Sequence, residues 1–186
     1  LLIHFGEYGG TISFAVNGSV INADNFQDLD GQTAGGITLS VPMGGNGNDT
    51  GILEFQGKPI QEFAIGGQEL WIDRICLLTG DPNEGEPMVD CVEFEELNLA
   101  DVYGVGDVFS VANSDGSLKF DAKVGGFGIS GAGSATVENG GKAGAMGQEL
   151  RVDNVTVSFK TVTPAPDGLL IHFGEYGGTI SFAVNG

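Results

Sequence analysis

Positive charge is scarce in this sequence. Seven Lys and Arg stand against twenty-five Asp and Glu, a net charge of −18 at neutral pH. A surface of that sign repels phosphate backbones and anionic headgroups, which argues against nucleic acid and anionic lipid as partners. The same acid excess fits a salt adaptation or a solubility device on one reading, and binding of divalent cations on another. Histidine is nearly as rare, with only His4 and His172. Neither is accompanied by a Gly-x-Ser-x-Gly elbow or a Cys-His arrangement, so the chain is expected not to be an enzyme. Clustered Cys and His are absent too, which removes zinc. No uncharged apolar run reaches the roughly 18 to 20 residues that span a bilayer. There is no leader and no starting Met, so a mature or excised chain is expected.

Cysteine is limited to Cys76 and Cys91. A disulfide between them would close an acidic loop, Leu77 to Asp90, whose Gly, Pro and Asn residues let its ends meet. That pairing suits an oxidising, extracellular or cell-surface setting, whereas two buried thiols would suit the cytosol.

Glycine is abundant, at thirty-three, with twelve Phe and frequent Val, Ile and Thr. Such a composition makes short strands and tight turns, and an all-β antiparallel β-sandwich is expected. Period-two alternation predicts strands near 19–23, 36–41, 51–55, 69–77, 88–94, 107–112, 117–124, 134–138 and 149–159. Gly44 to Asp49 and Glu138 to Lys142 read as turns or exposed loops, and Phe94 to Leu99 as the best place for a helical turn. Gly125-Gly126-Phe127-Gly128 lacks the Lys-Ser/Thr of a phosphate loop and reads as a turn.

The first eighteen residues, Leu1 to Gly18, recur without change as the last eighteen, Leu169 to Gly186. Chance does not produce such identity. It means either a recent, homogenised tandem repeat or one segment appended to complete a sheet. A period of 168 residues is domain-sized, so residues 1–168 form one β-sandwich unit and 169–186 are the start of the next unit or a complementing strand. Within the segment Ile12, Phe14 and Val16 share a face, as do Ile180, Phe182 and Val184 and, separately, Leu1, Ile3 and Phe5. Gly6 to Gly10 between them predicts either a hairpin or a bulge in one long strand.

A fainter repeat lies inside the unit. Gly67-Gln68-Glu69-Leu70-Trp71-Ile72-Asp73-Arg74-Ile75-Cys76-Leu77 matches Gly147-Gln148-Glu149-Leu150-Arg151-Val152-Asp153-Asn154-Val155-Thr156-Val157 at an offset of 80. The second stretch resembles the closing strand of jelly-roll domains of secreted bacterial proteins, many of them carbohydrate-binding modules. The resemblance covers these eleven residues at each place. It implies a jelly-roll-like sandwich, open to two related halves, in a secreted setting, and transfers no binding site.

Glu69, Trp71 and Asp73 share a strand face by period two, as do Glu149, Arg151 and Asp153. Four residues of strand separate Glu69 from Asp73 by roughly 13 Å, against about 5 to 9.5 Å between glycosidase carboxyls. Trp71 beside acids reads as core, or alternatively as a glycan-stacking platform with Tyr8 and Tyr103. Asn22 to Gly31 sets Asp24, Asp28 and Asp30 before a glycine, a pattern shared by Ca²⁺ loops and by ordinary solvated acidic loops. It lacks the bidentate Glu of an EF-hand, and Ca²⁺ is an optional cofactor, none being required. Asn17, Asn48 and Asn154 open glycosylation triplets, which suggest exposure.

Two functions follow. In the first, the chain is a structural module of an extracellular filament, pilus-like fibre or tandem-repeat surface protein. Its architecture resembles strand-complemented modules, and its partners are identical neighbours that receive the eighteen-residue segment. In the second, it is a carbohydrate-binding module of a secreted protein, meeting a glycan surface through Trp71.

Overall fold

A computed structural model describes residues 12–16, 19–23, 26–44, 50–77, 91–126, 133–144, 147–163, 169–177 and 180–184. Among them the chain forms strands and a single 3₁₀ turn, Phe26–Leu29. The strands are β1 (Ile12–Val16), β2 (Ser19–Ala23), β3 (Thr33–Ala34), β4 (Ile37–Met43), β5 (Thr50–Gly57), β6 (Glu62–Gly67), β7 (Glu69–Leu77) and β8 (Cys91–Glu93). They continue as β9 (Val102–Gly104), β10 (Val108–Ala112), β11 (Lys119–Gly126), β12 (Ser134–Asn139), β13 (Gln148–Asp153), β14 (Val155–Thr161), β15 (Leu169–Gly177) and β16 (Ile180–Val184).

Two sheets result. One has the order β10-β11-β14-β6-β16-β1-β2, the other β3-β4-β5-β15-β7-β13-β12-β9, with β8 paired to β7 beside β13. Alternation explains why these strands pack face to face. Ile37, Leu39 and Val41 of β4, and Phe120, Ala122 and Val124 of β11, point into a single buried cluster that draws on both sheets. At its centre Phe63 stacks on Phe159 at 5.0 Å, and Phe120 meets both rings edge-on at 5.8 and 6.2 Å. A fully buried side chain of this size contributes about 1.5 to 3 kcal/mol. The molecule is an all-β sandwich.

Its least expected feature is a corner. Residues 149–159, predicted as one strand, are divided at Asn154, whose φ of 53° is the left-handed conformation that Asn tolerates. There the chain leaves one sheet for the other, β13 to β14. The neighbouring pair β7 and β6 turns the same corner at Gln68, and the Asn154 N–H donates to the Gly67 carbonyl at 2.8 Å. β15 and β16 make a third such pair, with β15 against β7 and β16 against β6. The predicted hairpin in the eighteen-residue segment is therefore corrected. In the second copy β15 and β16 lie in different sheets and do not pair with each other, and the bulge reading survives as a register shift between Glu175 and Gly177.

The predicted helical turn at 94–99 is a series of tight turns, closed by Leu97 N–H to Phe94 O and Asp101 N–H to Asn98 O. β6 escaped prediction because five of its six residues are buried, leaving no alternation to read.

Candidate functional site

The eighteen-residue segment is seated at the middle of the molecule rather than at a rim. β15 lies between β5 and β7, with Ile171 opposite Leu53 on one side and Ile75 on the other. Beyond the corner β16 lies against β6, placing Phe182 opposite Ile65 and Val184 opposite Phe63. Ile65 and Phe63 are completely buried. On the far side of β16 is its own duplicate. β1 runs parallel to it and in register, pairing Ile12 with Ile180, Ser13 with Ser181 and Phe14 with Phe182. It is the only parallel contact among the described strands; β1 then pairs antiparallel with β2, Val16 opposite Ser19.

A second constellation surrounds Trp71, where β7 and β13 pair with Trp71 opposite Arg151. The indole is 7% exposed. The Arg151 guanidinium and the Lys142 ammonium each stand 5.6 Å from its ring centroid. Its Nε1–H donates to Glu138 Oε2 at 3.3 Å, and Arg151 reaches Glu138 Oε1 at 3.5 Å and Asp153 Oδ2 at 3.1 Å. Of the two readings of Trp71, the burial agrees with the core one, the ring being covered and attended by two cations. Tyr103 is half-buried and stacked on Phe109 at 4.3 Å.

Two acids near this cluster leave water. Glu149 is fully buried and holds the loop that follows β12. Its carboxylate accepts N–H groups from Gly141, Lys142 at 2.7 Å and Ala143 at 3.2 Å. Burial raises its pKa, while these N–H bonds oppose the shift. Gly140 is required at the loop's start, since a Cβ there would overlap the Glu149 carboxylate. Asp73, 3% exposed, is skipped by the β15 ladder, where Phe173 faces Ile72 and His172 faces Arg74. β7 also exchanges its other neighbour here, from β13 at 70–72 to β8 at 74–76. Burial pushes Asp73 up to about 6, against the Arg74 guanidinium 3.0 Å away and with small additions from the charges of Glu149 and Glu93. Glu69, by contrast, is exposed, and the register shift of the β15 ladder falls at Asp73.

Cys76 and Cys91 are cross-strand partners joined as a disulfide between β7 and β8. The acidic stretch pairs Asp28 and Asp30, both exposed, with the buried anchors Phe26 and Leu29, and Asp30 Oδ1 accepts the Val41 N–H at 2.8 Å. Among the described residues no group of three or more His, Cys, Asp or Glu could hold a metal ion. Leu1, Ile3, His4, Phe5, Tyr8, Asn17, Asp24, Asn48, Phe127, Gly128 and the loop 78–90 lie outside the described residues. Asn154, of the third glycosylation triplet, donates its amide to Asp153 Oδ1 at 2.7 Å.

No family model, curated protein or solved structure matches the chain. Its function has to be read from its own geometry. The sequence pointed to the duplicated segment and set Glu149 on a strand face with Arg151 and Asp153, but it did not show the burial of Glu149 or single out the side chains of Glu138 and Lys142. The available signal was the Gly140-Gly141 pair ahead of one Gly-Gln-Glu-Leu stretch and missing ahead of the other.

Proposed function

We propose that the chain is a structural module of an extracellular filament or tandem-repeat surface protein, joined to identical neighbours by donation of the eighteen-residue segment. The observation that carries this reading is the interior seat of β15. A strand between β5 and β7 has ladder partners on both sides, so withdrawing it opens the sheet along two edges. Such a seat has to be filled, and open edges recruit strands. The chain holds two identical segments able to fill it.

Charge supports the same reading. Modules of charge −18 repel one another, yet the segment carries a single acid in each copy, Glu7 or Glu175. Like-charged neighbours therefore approach most cheaply through this segment, where backbone ladders supply the attraction. The Cys76–Cys91 disulfide fits an oxidising exterior. The jelly-roll resemblance of the β7 and β13 stretches agrees with a secreted module. Trp71, the stacking residue of the glycan-binding alternative, is buried, which favours the filament reading over it.

Sedimentation of the full chain over a range of concentrations, followed by electron microscopy, tests the proposal. Linear assemblies with a spacing of one module are expected. Monomers at every concentration would overturn it.

A further inference from the structure

We infer that the seat between β5 and β7 and beside β6 is a binding site for either copy of the segment, and that the first copy moves into it when the second is donated to another molecule. This deepens the strand-donation reading and rests on it for the identity of the partner, a second copy of this chain.

The inference comes from where the duplicate stands. β1 is adjacent to β16, parallel to it, and paired residue for residue with the identical residue. Adjacent strands are about 4.8 Å apart. A shift of β1 by one strand spacing, without rotation and without slipping, puts the same sequence in the same direction where β16 was. Register is preserved, so no side chain changes face. Ser13 would then oppose Gly66, Phe14 would oppose Ile65, Ala15 would oppose Ala64 and Val16 would oppose Phe63, repeating the pairings now made by Ser181 to Val184. β2 remains paired with β1 and follows it. Residues 1–9 match Leu169–Gly177 one for one, so they carry the sequence that the β15 position requires.

Energetically the exchange is close to even. The departing strand and its replacement carry the same sequence into the same ladder positions against β5, β6 and β7, while the β1–β16 ladder is given up. A donor that closes its own gap avoids the exposed edges that drive uncontrolled aggregation. The released copy, Leu169 to Gly186, is then the element that enters a second chain. Such an interface is heterologous and grows into open linear assemblies.

The test marks the two copies separately in the full-length chain. Ile52 is the register partner of His172, so Ile52→Cys with His4→Cys reports occupation by the first copy, and Ile52→Cys with His172→Cys occupation by the second. Ile171→Pro removes a ladder donor from the interior strand and weakens the second copy alone. On oxidation of the first cysteine pair, Ile171→Pro is expected to raise the within-chain 4–52 cross-link by about tenfold or more. The protein should stay folded, whereas Ile3→Pro together with Ile171→Pro should unfold it. If Ile171→Pro alone melts as completely as the double variant and yields no 4–52 cross-link, the inference is overturned. Within-chain exchange with no 52–172 cross-link between molecules would uphold the shared seat and overturn donation, so the two failures are distinguishable.

Discussion

β7 and β13 are each entered through the same four residues, Gly-Gln-Glu-Leu, and share an Asp further on, yet their acids have opposite fates. Glu69 is exposed, while Glu149 is fully buried under its own loop. Asp73 is 3% exposed, whereas the Asp153 side chain keeps 34% of its surface in water. The strands pair antiparallel with Trp71 opposite Arg151, and these are equivalent positions of the repeat. A local two-fold relation thus passes between them. Its symmetry is broken by what adjoins each strand. β13 is preceded by a glycine-started loop that folds back on Glu149, and β7 by a one-residue corner at Gln68. The same short sequence is therefore a solvated edge in one setting and a buried anchor in the other.

The largest break in this comparison should come from the two glutamates. Glu149→Ala strands the N–H groups of Gly141, Lys142 and Ala143. At about 1 to 3 kcal/mol per orphaned group, with partial rehydration, it should cost about 3 to 5 kcal/mol in urea unfolding. Glu69→Ala should stay within about 0.5 kcal/mol. Equal losses would mean that the buried anchor contributes nothing.

Next comes the covalent tie that β7 has and its twin lacks. Cys76 corresponds to Thr156, which sits in the β14–β6 ladder. The disulfide spans a sequence separation of 15. Cross-linking a loop of that length stabilises by about 3 kcal/mol through the unfolded chain. Reduction should lower the unfolding free energy by that order, and the near-UV signal of Trp71 should persist if β7 keeps its pairing with β13.

Asp73 gives a pH-dependent version of the same contrast. Its carboxyl is pushed from 3.8 up to about 6 in the folded protein. Between those values the folded chain holds a proton that the unfolded chain has released, so stability falls as pH rises through the window. A shift of about two units corresponds to about 3 kcal/mol at most. Asp73→Asn should flatten that part of the profile, and the gap between wild type and variant should change between pH 4 and pH 7. The raised pKa of Glu149 acts in the same direction and remains in the variant.

How much of this was legible beforehand depends on whether a property is local. Val108–Ala112 and Lys119–Gly126 stand close to where alternation set them, because each strand's pattern is written in its own residues. β6 was invisible, since a strand buried along its length has no polar face to mark its period. The corner at Asn154 was hidden inside a run of β-forming residues, and only pairing with Gly67 shows that the chain changes sheets there. The duplicated segment was recognised as strand-forming, but whether it folds on itself or bends through two sheets depends on β5, β6 and β7. Glu149 is the extreme case. Nothing in Gly-Gln-Glu-Leu distinguishes it from Glu69 until the loop that covers it is in place.

The smallest expected effect probes the point where the two strands meet. Trp71 is the sole tryptophan, so its fluorescence reports this position alone. Arg151 comes from the repeat position equivalent to Trp71, and Lys142 from the loop that breaks the symmetry; both stand 5.6 Å from the ring. Arg151 also pairs with Glu138 and Asp153, whereas Lys142 serves Glu149 through its backbone N–H, which a side-chain truncation leaves intact. Lys142→Ala removes a cation–π contact worth about 0.5 to 1 kcal/mol. Arg151→Ala should cost more, about 1 to 2 kcal/mol, because Glu138 and Asp153 lose their partner as well. If the loop position proved the costlier, the cluster would be held from the loop rather than by the pairing of β7 with β13. The ordering of these two substitutions thus decides whether the shared sequence or the loop that differs sets the environment of Trp71.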